Sequence, residues 1–258
     1  MKRSSGVRLC ATAAVGALSL ALVTGCSDEG SKGAGGTDGK PAARALGTAE
    51  LKKLIVAGGE VPGYKVGAVP ATRAKPITTD SAECRPLARV LSGLPPAEAA
   101  AQTDRLATQD LKKDPTDDAT SLDDMADGKF EDAIKKSMDL DVTTVNLSSY
   151  DGDGAVKALA SVSAAVRACA GGFDGKQSGT GMKFTKVAES KAAATGDESV
   201  AFEAISKMDG DSAPVYGEVV RHGNTLASYY TVNIGAMMAK KAYSVSPEVV
   251  KAQSAKLK

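Results

Sequence analysis

The tetrapeptide Val23-Thr24-Gly25-Cys26 sets a thiol directly behind two small residues and an aliphatic one. Small side chains let an extended backbone enter a narrow peptidase cleft, and the exposed sulfur is the nucleophile that accepts a diacylglycerol. This lipobox pattern predicts cleavage before Cys26 and lipidation of that cysteine. The plainer alternative is an ordinary secretory signal in which Cys26 is incidental. Cys10 leaves with the leader, so the mature chain keeps Cys84 and Cys169 as its other thiols. Two thiols in an oxidising compartment predict one disulfide, two separate buried thiols being the alternative. Closing a loop of about 86 residues would stabilise the fold by about 4–5 kcal/mol in the chain-entropy model.

Signals for catalysis are sparse. His222 is the only histidine, and it stands in the tight connection Arg221-His222-Gly223-Asn224. With one imidazole and no free thiol, neither a Cys–His pair nor a multi-histidine zinc site can be assembled. The chain has no Gly-x-Ser-x-Gly elbow, no Ser-x-x-Lys and no glycine-rich phosphate loop between strand and helix. Paired carboxylates drawn from Asp197, Glu198, Glu203 and Glu218 are the chemistry left to a wall hydrolase. The reading favoured by the residues is a protein without catalysis, without a metal and without a cofactor. Asp114, Asp117, Asp118, Asp123, Asp124, Asp127, Glu131 and Asp132 face only Lys129 within residues 114–132. This run reads as a solvated loop and helix start, and its spacing matches no calcium loop.

Recognition residues are easier to find. Tyr216, Arg221, Tyr229 and Tyr230 cluster on one expected hairpin in a chain with six Tyr, four Phe and no Trp. Tyrosine offers apolar area with a hydroxyl tip, which suits a ligand-binding surface. On a strand Tyr229 and Tyr230 point to opposite sides, so one is expected in the core and the other in a cleft.

The elements that must position these residues follow from pattern. Lys2, Arg3 and Arg8 precede an apolar stretch from Leu9 to Val23, so residues 1–25 read as a lipoprotein signal peptide. Residues 26–47 are the lipidated cysteine and a glycine-rich tether, whose root-mean-square reach is roughly 25 Å. Residues 48–258 read as a single extracytoplasmic domain. Thr48 is the expected cap of a short helix carrying Leu51, Leu54 and Ile55, and Tyr64 to Val69 alternates like a strand. A second helix from Ser81 places Cys84, Leu87, Ala88 and Leu91 on one face. After a strand from Asp141 to Tyr150, Asp151-Gly152-Asp153-Gly154 opens a helix with Ala155, Val156, Leu159, Val162, Val166 and Cys169 at helical spacing. Beyond Phe173 come strands at Met182–Val187, Val200–Ile205, Val215–Arg221 and Thr225–Val232, then a helix opened by Ser246-Pro247-Glu248. The order predicts an α+β fold: an antiparallel sheet with helices packed on one face, braced by one disulfide.

Charge narrows the partners. The chain has 32 basic and 31 acidic residues, and removal of residues 1–25 takes away three bases and no acid. A mature chain near −2 lacks the clustered positive charge that nucleic-acid binding needs. The expected partners are the membrane, through the lipid anchor, and a small ligand, a wall component or a protein.

Several local arrangements together resemble a known group. Glu83-Cys84-Arg85-Pro86-Leu87 is followed by Arg167-Ala168-Cys169-Ala170-Gly171-Gly172-Phe173, then Gly196-Asp197-Glu198, then Val219-Val220-Arg221-His222-Gly223-Asn224. The chain from about residue 48 onward looks like the actinobacterial lipoproteins similar to the extracellular sensor domain of PknH-type serine/threonine kinases. That resemblance implies an α+β domain with a disulfide-braced cleft and a role in ligand sensing at the outer face of the cell membrane. The PknH-type domain has two disulfides, whereas this chain has thiols for one. A lipid carrier with a large apolar cavity is the main alternative function.

Overall fold

A computed structural model describes residues 44–71, 75–111, 129–193, 195–208 and 211–258. The signal peptide, Cys26, most of the tether and most of the acidic run 114–132 lie outside these described residues.

In chain order the described elements are α1 (Thr48–Leu54), β1 (Tyr64–Gly67), β2 (Ile77–Thr78), α2 (Arg85–Val90), β3 (Ala101–Gln109) and α3 (Lys129–Met138). They continue with β4 (Val142–Ser149), α4 (Gly154–Ala168), β5 (Phe173–Gln177), β6 (Thr180–Glu189), β7 (Glu198–Met208), β8 (Asp211–His222), β9 (Thr225–Val232), α5 (Ile234–Met238) and α6 (Pro247–Ala255). The nine strands form one antiparallel sheet in the order β1-β3-β4-β9-β8-β7-β6-β5-β2. The expected α+β class and antiparallel sheet are both present.

The middle strands carry apolar residues on both sides. On β8 and β9, Val219 and Leu226 face one cluster while the adjacent Val220 and Ala227 face the other. Each side therefore needs a cover. On one side α2 and α4 bring Leu87, Val90, Leu159, Val162 and Val166 against Phe184, Phe202 and Val219. On the other, α1 and α6 bring Leu51, Ile55, Val249 and Val250 against Val145, Leu147, Val220 and Tyr229. This second pair of covering helices was not placed by sequence periodicity.

Cys84, at the N-cap of α2, is bonded to Cys169, at the C-cap of α4, with 5.9 Å between their Cα atoms. The bridge ties together the two helices that cover one face. The opposite helices are joined by an amide. Gln253 of α6 is fully buried, accepts from the Val56 N–H at 2.9 Å and donates to the Leu54 carbonyl at 2.9 Å. A helix of seven residues leaves several end carbonyls without internal partners, and Gln253 satisfies one of them. This cap ends α1 at Leu54, before the Gly58-Gly59 pair expected to stop it.

Other boundaries shift for equally local reasons. Thr48 lies inside α1; the cap is Gly47, whose N–H donates to the Glu50 carboxylate at 2.7 Å. Asp153 caps α4 without a side-chain bond and pairs with Lys157 one turn later, at 2.9 Å. Val156, expected on the buried face of α4, is exposed, while Ala158 and Ala165 are buried instead. Ser246 caps α6 as expected, accepting from the Val249 N–H, with Pro247 in its first turn.

The closed loop spans 85 residues of sequence separation, which corresponds to about 4–5 kcal/mol of chain entropy. Replacing both cysteines by alanine (Cys84→Ala with Cys169→Ala) is expected to lower the unfolding free energy by up to that amount, measured by urea denaturation. Equal stabilities of parent and double variant would show that the bridge constrains nothing.

Candidate functional site

The end of the sheet where β8 turns into β9 is the best-organised polar region. Gly223 and Asn224 make a two-residue turn, with Gly223 at a φ of +60° that a side-chain-bearing residue adopts reluctantly. The Asp197 carboxylate accepts from the Gly223 N–H at 2.7 Å and from the Arg221 guanidinium at 3.0 Å. Glu198 lies 3.8 Å from the same guanidinium. Gly196 makes this approach possible, since a Cβ there would stand 2.4 Å from the Arg221 carbonyl and 2.4 Å from a Val220 methyl. The two short motifs Gly196-Asp197-Glu198 and Arg221-His222-Gly223-Asn224 are thus halves of one latch. It fixes the entry of β7 against the exit of β8.

Beside the latch, between α4 and the start of β7, lies a groove of about 260 Å³. Its floor is Leu159, Ala160, Val200 and Ala201, and its polar lining is Ser163, Glu189, Ser190, Glu198 and Ser199. No basic side chain is among the lining residues, but two guanidiniums touch them from behind: Arg167 donates to Ser163 at 2.9 Å and Arg221 lies 3.8 Å from Glu198. Glu198 makes a long 3.8 Å ion pair with Arg221, whereas Glu189 has no ion-pair partner among the described residues. The groove thus pairs a short apolar floor with two carboxylates and three hydroxyls, a set that suits a small molecule carrying an amine. A second concavity of about 60 Å³ is lined by Thr79, Asp80, Asp174 and Lys176 at the far edge of the sheet.

The four residues expected to bind ligand are not brought together. Tyr229 is fully buried under α1 and α6, beside Ser254 and opposite Glu218; burial and then the Glu218 charge hold its phenol far above the ordinary range. Tyr216 shares that side of the sheet but stands half-buried, donating to Glu203 at 3.3 Å and meeting Tyr243 edge-on at 4.7 Å. Burial, then Glu203, raises its pKa. Tyr230 lies on the disulfide side, half-buried, opposite Gly217. Arg221 is on the same side as Tyr230 but four residues further along β8 than Gly217, about 13 Å at strand spacing.

The carboxylates proposed for a hydrolase divide likewise. Asp197 and Glu198 belong to the latch, and Glu203 accepts from Tyr216. Glu218 is buried, with the Ala193 N–H donating to it at 3.1 Å. Among the described residues no group of three or more His, Cys, Asp or Glu side chains is placed to hold a metal ion. No described helix is long and apolar enough to cross a membrane. The groove acids Glu189 and Glu198 were legible only in part. Glu198 was singled out in the sequence, while Glu189 ends β6 with no motif around it.

No family model matches this chain, and no curated protein matches it. Among solved structures it is similar to the extracellular domain of PknH from Mycobacterium tuberculosis. The TM-score is 0.48 at 9% identity, covering 83% of this chain and 95% of that one. The likeness is a distant one.

His222 offers a direct readout of the latch. Burial lowers its pKa; Asp197 opposes that shift and Arg221 adds to it. A histidine whose folded pKa is below its unfolded value adds stability above the ordinary value of about 6.5. That contribution is lost as the pH falls. The single imidazole resonance is expected to titrate below that value by NMR, and Asp197→Asn to move it lower still. An upward movement in Asp197→Asn would contradict the latch geometry.

Proposed function

We propose that this chain is a lipid-anchored, extracytoplasmic binding module that works without catalysis and takes a small amine-bearing ligand in the groove beside α4. The groove carries the reading: acceptors on its rim, an apolar floor, and two carboxylates, of which Glu189 has no ion-pair partner among the described residues. Glu189 and Glu198 stand four residues apart in strand register, about 13 Å at strand spacing. Each can therefore take its own ammonium group by a charge-assisted hydrogen bond, with Ser190 and Ser199 available to neighbouring polar groups. Anchorage rests on Val23-Thr24-Gly25-Cys26 and the tether that follows it. Two acyl chains bind a bilayer stably where one is marginal, so anchorage needs no help from the folded surface. The polar lining of the groove favours such a ligand over the acyl chain that a lipid carrier would hold.

Spermidine, putrescine and glucosamine are the probes for the groove. At least one is expected to raise the melting temperature saturably, with affinity reduced about tenfold by Glu189→Gln or Glu198→Gln. No shift with any of the three, or a shift unchanged in both variants, would remove the ligand class.

Labelled palmitate is expected to enter the parent chain and not Cys26→Ala. Equal labelling of the two would remove the anchor.

A further inference from the structure

The face of the sheet covered by α1 and α6 is covered only in part. Beyond β8, strands β7, β6 and β5 present on that face the exposed side chains Lys207, Lys183, Lys186 and Lys176. Lys183 and Lys207 stand directly opposite each other. Like charges in that position destabilise a strand pair. The fold does little to relieve the repulsion: none of the four lysines has an ion-pair partner among the described residues. Asp174 faces Lys183 from β5, and Glu203 on the same face accepts from Tyr216.

Lysine is common on exposed edge strands, where it blocks edge-to-edge pairing. That explanation does not reach these residues, because β5, β6 and β7 are each hydrogen-bonded on both sides. The lysines are also conspicuous against the near −2 charge of the mature chain, which calls for bases elsewhere to be diluted by acids. Sheet twist, about 20–25° per strand, accumulates over the four steps from β9 to β5 and turns this half-face aside from α1 and α6.

We propose that Lys176, Lys183, Lys186 and Lys207 form a docking surface for the anionic phospholipid headgroups of the bilayer that holds the chain. The charge is complementary. The tether leaves the fold at residue 44, at the latch end, and Lys207 stands nine residues along β7 from Glu198, about 30 Å at strand spacing, so this docking lays the sheet along the bilayer. The choice of a bilayer rests on the lipid anchor; the surface itself does not. Docking in this way fixes one orientation of an otherwise freely tethered protein.

The test is amine acetylation followed by mass spectrometry, on the intact chain mixed with vesicles. One set of vesicles is phosphatidylcholine alone and the other includes phosphatidylglycerol. The four lysines are expected to react several-fold more slowly with the anionic set, and Lys52, Lys157 and Lys251 at unchanged rates. In Lys183→Gln with Lys207→Gln, affinity for the anionic vesicles should fall about fivefold per lysine removed. These are exposed positions, so the variant is expected to fold. Equal rates on both vesicle types, or equal slowing of the control lysines, would overturn the proposal. So would protection by inorganic phosphate with neutral vesicles, which would point to a free-anion site. Because this readout is independent of palmitate labelling, failure of the anchor and failure of the docking face are told apart.

Discussion

The centre of the sheet is buried on both sides, and most of the fold answers to that. Along β4, Val145, Asn146, Leu147, Ser148 and Ser149 are all buried, and along β9 so are Leu226, Ala227, Ser228 and Tyr229. A strand alternates its side chains, so such runs bury groups on both faces: Val145 and Leu147 on one side of β4 with Asn146 and Ser148 on the other, and Leu226 on one side of β9 with Ala227 and Tyr229 on the other. Two helices on each side meet that demand, held together by a covalent bridge on one side and by the Gln253 amide on the other. The outer strands β5, β6 and β7 escape it on one face, and there the sequence changes to lysine.

Much of this was readable in the residues. The amphipathic α4, the Ser246-Pro247 start of α6, the Gly223-Asn224 turn and the Cys84–Cys169 pairing all follow from spacing and residue type. β3 did not announce itself: Ala101-Gln102-Thr103-Asp104-Arg105-Leu106-Ala107 has few β-branched residues, and its place is set by pairing with β4 and β1. Strands β7 and β8 run longer than their apolar stretches, because hydrogen bonding carries the hairpin through Ser206-Lys207 and Ser212-Ala213. The polar Gln253 carries no sequence signal of burial, yet it is core, because an end carbonyl and a lone N–H across the interface both need it.

Recognition residues were harder to place than elements. Adjacent tyrosines were correctly expected on opposite faces, but periodicity says nothing about which helix will cover each one. The groove depends on how closely α4 approaches the ends of β6 and β7. That approach is set by packing across sequence separations no local pattern carries. The acids of the latch show the converse. Gly196-Asp197-Glu198 is distinctive as a string because its glycine must let backbone pass close by, and its aspartate must reach a turn amide.

The segment at residues 44–46 is fastened by three contacts to this end of the sheet: Asn224 donates to the Arg44 carbonyl, the Ala45 N–H to Asp151, and the Leu46 N–H to Ser149. Tension arriving along the chain from residue 43 therefore meets small, separate clasps in succession, and then α1. Peeling would proceed one clasp at a time at low force. The loop closed by Cys84 and Cys169 sits behind that sacrificial lead and would be shielded until the helix had been stripped away.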